Sequence, residues 1–162
     1  MKIGKAVLGL RIKNDEIEKE ISPYLEKIPP SHLKNLRGIY RSPLPPLRLF
    51  LTMGKKAYDY NIGFYQIWRN EVILFGKQWK DNLFHEIGHH IMNTKKNCVI
   101  PEGLKKEIFD CYCESSKVDP CKVKYRQVDE FLGDNYDTCI NKGPGYIANP
   151  RMRGIMERVM KI

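Results

Sequence analysis

The chain has 162 residues, 42% of them hydrophobic and 29% charged, with 28 Lys/Arg against 19 Asp/Glu for a formal net charge of +9. That length fits a single domain able to bury a core without disulfide staples, and the composition excludes disordered and fibrous classes. No apolar run approaches the ~18 residues of a membrane span, and the opening AVLGL, followed at once by Arg11 and Lys13, is too short for a secretory signal, so the expected location is cytoplasmic.

In chain order, NDEIEKEISPYLEKI predicts a helix capped by Asn14 or Asp15, with Ile17, Ile21, Leu25 and Ile28 on one stripe and Pro23 as a kink or restart. The proline-punctuated stretch after it carries a short strand over 36–40. Residues 47–53 fit helix or strand equally. Ile62–Ile67 and Val72–Phe75 are β-rich, and Arg69-Asn70 between them supplies turn chemistry, so a hairpin is expected. KDNLFHEIGHHIMN then reads as a helix with Asp81 as N-cap, Phe84, Ile87, Gly88 and Ile91 on an apolar face, and Asn93 at its end. Three further helices follow: one opened by Pro101-Glu102, one with Val128, Phe131, Leu132 and Tyr136 in a stripe, and an amphipathic last one capped by Asn149 and opened by Pro150. The order predicts one α+β domain over 1–162 with a small mixed or antiparallel sheet: a helical lead-in over 1–30, a core over 31–140, and a C-terminal loop and helix over 141–162.

The five cysteines, Cys98, Cys111, Cys113, Cys121 and Cys139, are an odd set for a disulfide framework. The last four match no standard zinc spacing, and buried thiols or disulfides are expected rather than a second metal.

His85-Glu86-Ile87-Gly88-His89 is the segment that carries chemistry. Residues i and i+4 of a helix lie ~40° apart, so His85 and His89 can aim two imidazoles at one point. Zinc accepts imidazole nitrogen at about 2.0–2.1 Å. Glu86, 100° round the helix, is placed to act on a water at the metal as general base. Gly88 leaves room for another backbone. His90 lies off the ligand face, and His32 is expected on the surface or in a loop.

A catalytic zinc needs a third protein ligand and an open position. No histidine follows His90, so that ligand is a carboxylate or a thiolate. Glu130 stands out because Asp134 follows one turn later on the same face, able to accept the other N–H of a ligand histidine, with Gly133 allowing close helix packing. Glu107 is the alternative, beside Lys105 and Lys106.

With these residues in hand, the chain resembles the gluzincin metallopeptidases. NLFHEIGHHI followed by EFLGDNY is similar to the catalytic domains related to anthrax lethal factor and the Pro-Pro endopeptidases, and to the archaeal minigluzincins; KIPPSHLKNLRGIY resembles their lead-in to the first strand. The likeness covers about residues 25–140. It implies a zincin-like fold with an active-site metal helix and a later glutamate helix. It also implies zinc-dependent endopeptidase activity, with His85, His89 and Glu130 as ligands and Glu86 as base. In that group a tyrosine ahead of the glutamate helix stabilises the oxyanion. Tyr125 is the nearest here, although the usual spacing falls on Val123; Tyr112, Tyr136 and Tyr146 are alternatives.

The expected partner is a peptide or protein substrate, added to one strand of the hairpin. Residues 1–60 hold 12 Lys/Arg and 6 Asp/Glu, so a competing reading is a proteolytically silent zinc domain using a basic N-terminal half, nucleic acid included. Glu86 separates the two, since a binding module has no use for a base beside the metal. A third reading is a latent peptidase whose C-terminal segment covers the cleft.

Overall fold

A computed structural model of the chain describes residues 1–7, 10–45, 47–60, 62–93 and 99–162. It is an α+β structure built on an open mixed sheet. The strands are β1 (Lys2–Val7), β2 (Leu10–Lys13), β3 (Gly38–Ser42), β4 (Ile62–Gln66) and β5 (Glu71–Phe75), in the spatial order β2-β1-β3-β5-β4. β1, β3 and β5 run parallel in the centre, and an antiparallel strand flanks them on each side. Six α-helices occur among the described residues: α1 (Asp15–Leu25), α2 (Leu47–Met53), α3 (Leu83–Asn93), α4 (Glu102–Ser116), α5 (Tyr125–Lys142) and α6 (Pro150–Val159).

Alternation along the strands sorts the sheet into two faces. Ile3, Ile39, Val72 and Leu74 point to one side, where Ile17 and Ile21 of α1 and Leu83, Phe84, Ile87 and Ile91 of α3 close over them. That core continues without a break into α4, α5 and α6. On the other side Ala6, Tyr40 and Ile73 form a smaller cluster. Arg11 lies across it, over the Tyr40 ring and 2.9 Å from the Glu71 carboxylate.

The hairpin forms where expected, with Asn70 taking a positive φ of 52° in its turn. Asn14 caps α1 by accepting the Ile17 N–H, and Asn149 does the same for Met152 at α6. Pro23 lies inside α1, which ends two residues later at Leu25. Residues 47–53 are helical.

Several expectations are corrected. The lead-in over 1–30 is not simply helical: residues 2–7 and 10–13 are strands of the central sheet, and helix begins only at Asp15. The third strand spans 38–42 rather than 36–40. Asp81 does not cap α3; it lies inside a 3-10 turn over Trp79–Asn82 that leads into that helix. His32 is not a surface residue. It is fully buried, its Nδ1 2.8 Å from the Tyr136 hydroxyl and its Nε2 2.9 Å from the Val159 carbonyl oxygen. In α6, Met152, Ile155, Met156 and Val159 are buried against α4 and α5. Cys111, Cys113 and Cys139 are buried free thiols and Cys121 is an exposed one; Cys98 lies outside the described residues. No helix of the described residues is long and apolar enough to cross a membrane.

Candidate metal centre

α3 is held by its apolar face on the sheet, and this orientation turns His85 and His89 outward along one stripe towards α5. α5 presents Asp129, Glu130, Gly133 and Asp134 to that stripe, while Val128, Leu132 and Tyr136 anchor its back in the core. Two glycines set the distance between the helices. A Cβ on Gly88 would stand 2.8 Å from the Gly133 Cα, and a Cβ on Gly133 would stand 2.9–3.1 Å from the His85 ring. Neither position has room for a side chain.

Both histidines use their two ring nitrogens in the same way. His85 Nε2 lies 3.3 Å and His89 Nε2 3.8 Å from the same oxygen of Glu130, Oε2. On the far edge of each ring a carboxylate stands behind Nδ1: Asp134 at 3.1 Å from His85 and Asp129 at 3.0 Å from His89. A carboxylate behind Nδ1 favours the tautomer with its proton there and leaves Nε2 as a free donor atom. Burial alone would lower the His89 pKa, but Asp129, with Glu86 and Glu130 near, holds it above the ordinary value.

Glu86 completes the group. It is 4% exposed, and its Oε2 is buried without a hydrogen-bond partner. Burial pushes its pKa up to about 7, against His89, which lowers it; Glu130 and Asp129 add to the rise, and the Tyr65 backbone N–H opposes it. The carboxylate has this position because residue 63 of β4 is glycine. A Cβ there would lie 2.5 Å from Glu86 Cγ and 2.6 Å from Oε1.

The donor set fits an ion. Ligands about 2.0–2.1 Å from a tetrahedrally held zinc stand about 3.3 Å from one another. The three donor atoms of His85, His89 and Glu130 all lie within 4.8 Å of each other, so these residues could hold a metal ion. Among the described residues they form the one such group.

A cleft of about 690 Å³ opens over this group, between β4 on one side and the start of α5 on the other. β4 is the edge strand and β5 is interior, which decides which half of the hairpin is open to a further strand. Tyr125 lines the cleft, its hydroxyl 3.4 Å from the Met92 carbonyl oxygen. Burial first, then Asp129 and Glu102, push that phenol up to about 12. The alternatives do not reach the site. Tyr112 packs on Phe131, Tyr136 is buried against His32, and Tyr146 is exposed in a turn after α5. Glu107 pairs instead with Arg158 of α6 at 2.5 Å.

Sequence reasoning did not single out Asp129, Asn93 and Gly63. Asn93 donates to both the His89 carbonyl oxygen and Asp129 Oδ1, tying the end of α3 to the carboxylate behind His89. A glycine inside a strand is a recognised mark of close approach, and Gly63 carried that signal. His90 is buried with its Nε2 3.0 Å from the Lys34 carbonyl oxygen, away from the ligand stripe.

In comparisons with known proteins, no family model matches the chain, and no curated protein or solved structure matches it significantly.

Proposed function

We propose that the chain is a zinc-dependent endopeptidase with a zincin-like architecture. The observation that carries this reading is the pairing of a three-donor group with a buried carboxylate, Glu86, that has an oxygen unpartnered beside it. A domain that only binds metal gains nothing from burying a carboxylate there, since the burial costs free energy. Two imidazoles and one carboxylate are a donor set suited to catalytic zinc, with a position left for water or substrate.

When bound, the ion lowers the pKa of a water and polarises the scissile carbonyl. Glu86, whose pKa stands near neutrality, takes the proton of the attacking water and passes it to the departing amine. Glu86 takes that proton in its ionised form, which positive charge held by His85, His89 and Glu130 would favour. Tyr125 keeps its phenolic proton and donates it in a hydrogen bond to the carbonyl oxygen as charge develops there. The substrate lies as an extended strand along β4, whose outer edge faces the cleft.

Purified protein assayed for bound metals by mass spectrometry, and against a mixed peptide library, tests this. Zinc near one equivalent and cleavage that a chelator stops are expected. Glu86→Gln should keep zinc and fold while cleavage is lost. Undiminished turnover by that variant overturns the mechanism, and a wild-type protein that holds zinc but cleaves nothing supports the silent binding domain instead.

A further inference from the structure

Three cations meet at the carboxyl ends of the parallel strands, in a second cleft of about 410 Å³ that shares no lining residue with the first. Lys5 and Arg41 are register partners across β1 and β3, so their side chains leave the same face of the sheet side by side. Lys77 follows just beyond β5, where Gly76 at φ 109° turns the chain into the same space.

Arg41 is half-buried, and its guanidinium lies 5.5 Å from the centre of the Trp79 ring, itself buried in the core. A cation–π contact with a buried ring restrains the guanidinium at the mouth of the cleft. Lys80, over the same ring, has Glu20 at 3.5 Å. Lys5, Arg41 and Lys77 have no ion-pair partner among the described residues, and no carboxylate lines their cleft. Like charges gathered without a counter-charge repel, and a bound anion removes that cost. In open sheets the ends of parallel strands are a usual place for ligands.

We propose that this cleft binds a phosphate group. A planar guanidinium matches two phosphate oxygens, and two mobile ammonium groups complete the neutralisation of a dianion better than that of a single carboxylate. The ligand is a soluble phosphate ester or the headgroup of an anionic lipid, which share this chemistry. The inference stands apart from the peptidase reading.

The test is titration of inorganic phosphate into the full-length protein, followed by the backbone amide resonances of Ser42, Gly76 and Lys77. Saturable shifts at these amides are expected, with binding weakened about tenfold or more in Arg41→Gln. Because Arg41 also packs on Trp79, the doubly substituted Lys5→Gln, Lys77→Gln protein, altered only at exposed positions, provides a second measurement with the same expectation. Co-sedimentation with phosphatidylcholine vesicles, with and without phosphatidic acid, separates the two sources. Lipid-dependent sedimentation lost in the double variant assigns the phosphate to a membrane surface; saturable phosphate shifts without sedimentation assign it to a soluble ligand. Absence of both, or phosphate shifts unaltered in the variants, overturns the proposal.

Discussion

Gly88 of α3 lies against Gly133 of α5 so closely that a methyl group on the first would stand 2.8 Å from the Cα of the second. The distances among the three donor atoms depend on this approach, because Glu130 reaches the two imidazoles from α5 while both imidazoles stand on α3. Gly88→Ala forces the helices apart by some tenths of an ångström. Overpacking of this kind costs about 1–3 kcal/mol. The expected result is a lower Tm without metal, and a larger loss with zinc present because the donor set is also spread. A variant with unchanged zinc affinity would show that the helix spacing does not set the site.

Gly63→Ala tests a different contact. The added methyl collides with Glu86 Cγ and Oε1, and the three atoms nearest to it all belong to Glu86. Zinc content should stay near wild type while turnover falls, by about 10²-fold if the carboxylate moves by 1 Å. Peptide cleavage and metal analysis on the same preparation check this. Loss of zinc together with activity would mean that the residue supports the whole cleft rather than the base.

The two carboxylates behind the ligand histidines are not equivalent. Asp129 has a side chain 15% exposed and is held by Asn93, whereas Asp134 is 74% exposed. Solvent screens an exposed partner, so its orienting effect is weaker. Asp129→Asn should weaken zinc binding by 10- to 100-fold, roughly the range found for partners behind metal ligands. Asp134→Asn should cost less. Competition with a chromogenic chelator ranks the two, and the reverse order would contradict the reading.

How much of this was legible in the chain depends on how local each relationship is. His85, Glu86 and His89 share one helix, so their geometry follows from spacing alone. Glu130 was legible because Gly133 and Asp134, on its own helix, marked the face. Asp129 was not, since one more acid beside Glu130 looks the same whether it faces a histidine or water. β1 escaped notice because Lys5 shares the face of Ile3 and the other face carries Lys2, Gly4 and Ala6, which leaves no clean alternation. His32 had no local signal at all: its partners, Tyr136 and Val159, are more than a hundred residues away.

The buried histidines also make a pH prediction. Burial lowers the His90 pKa to about 4, with the Lys34 carbonyl opposing and His32 adding to the fall. His32 is lowered by burial too, against its bond to the Val159 carbonyl. His90 is therefore neutral in the fold down to about pH 4, while in the unfolded chain both histidines take protons near pH 6.5. The unfolded state binds more protons below that value, so their effect is absent above pH 6.5 and destabilises the fold progressively as the pH falls towards 4. For His90 a fall from 6.5 to about 4 corresponds to roughly 3 kcal/mol at the acid end. His89 works the other way in the ion-free protein: its raised pKa adds stability in acid that is lost as the pH rises through that value. Zinc release would confuse the two, so the measurement is urea unfolding with chelator present, from pH 7 to pH 4. His90→Gln keeps a donor for Lys34 but does not titrate, and it should lose less stability over that range than the wild type. Parallel curves for the two proteins would show that His90 is not held neutral by its burial.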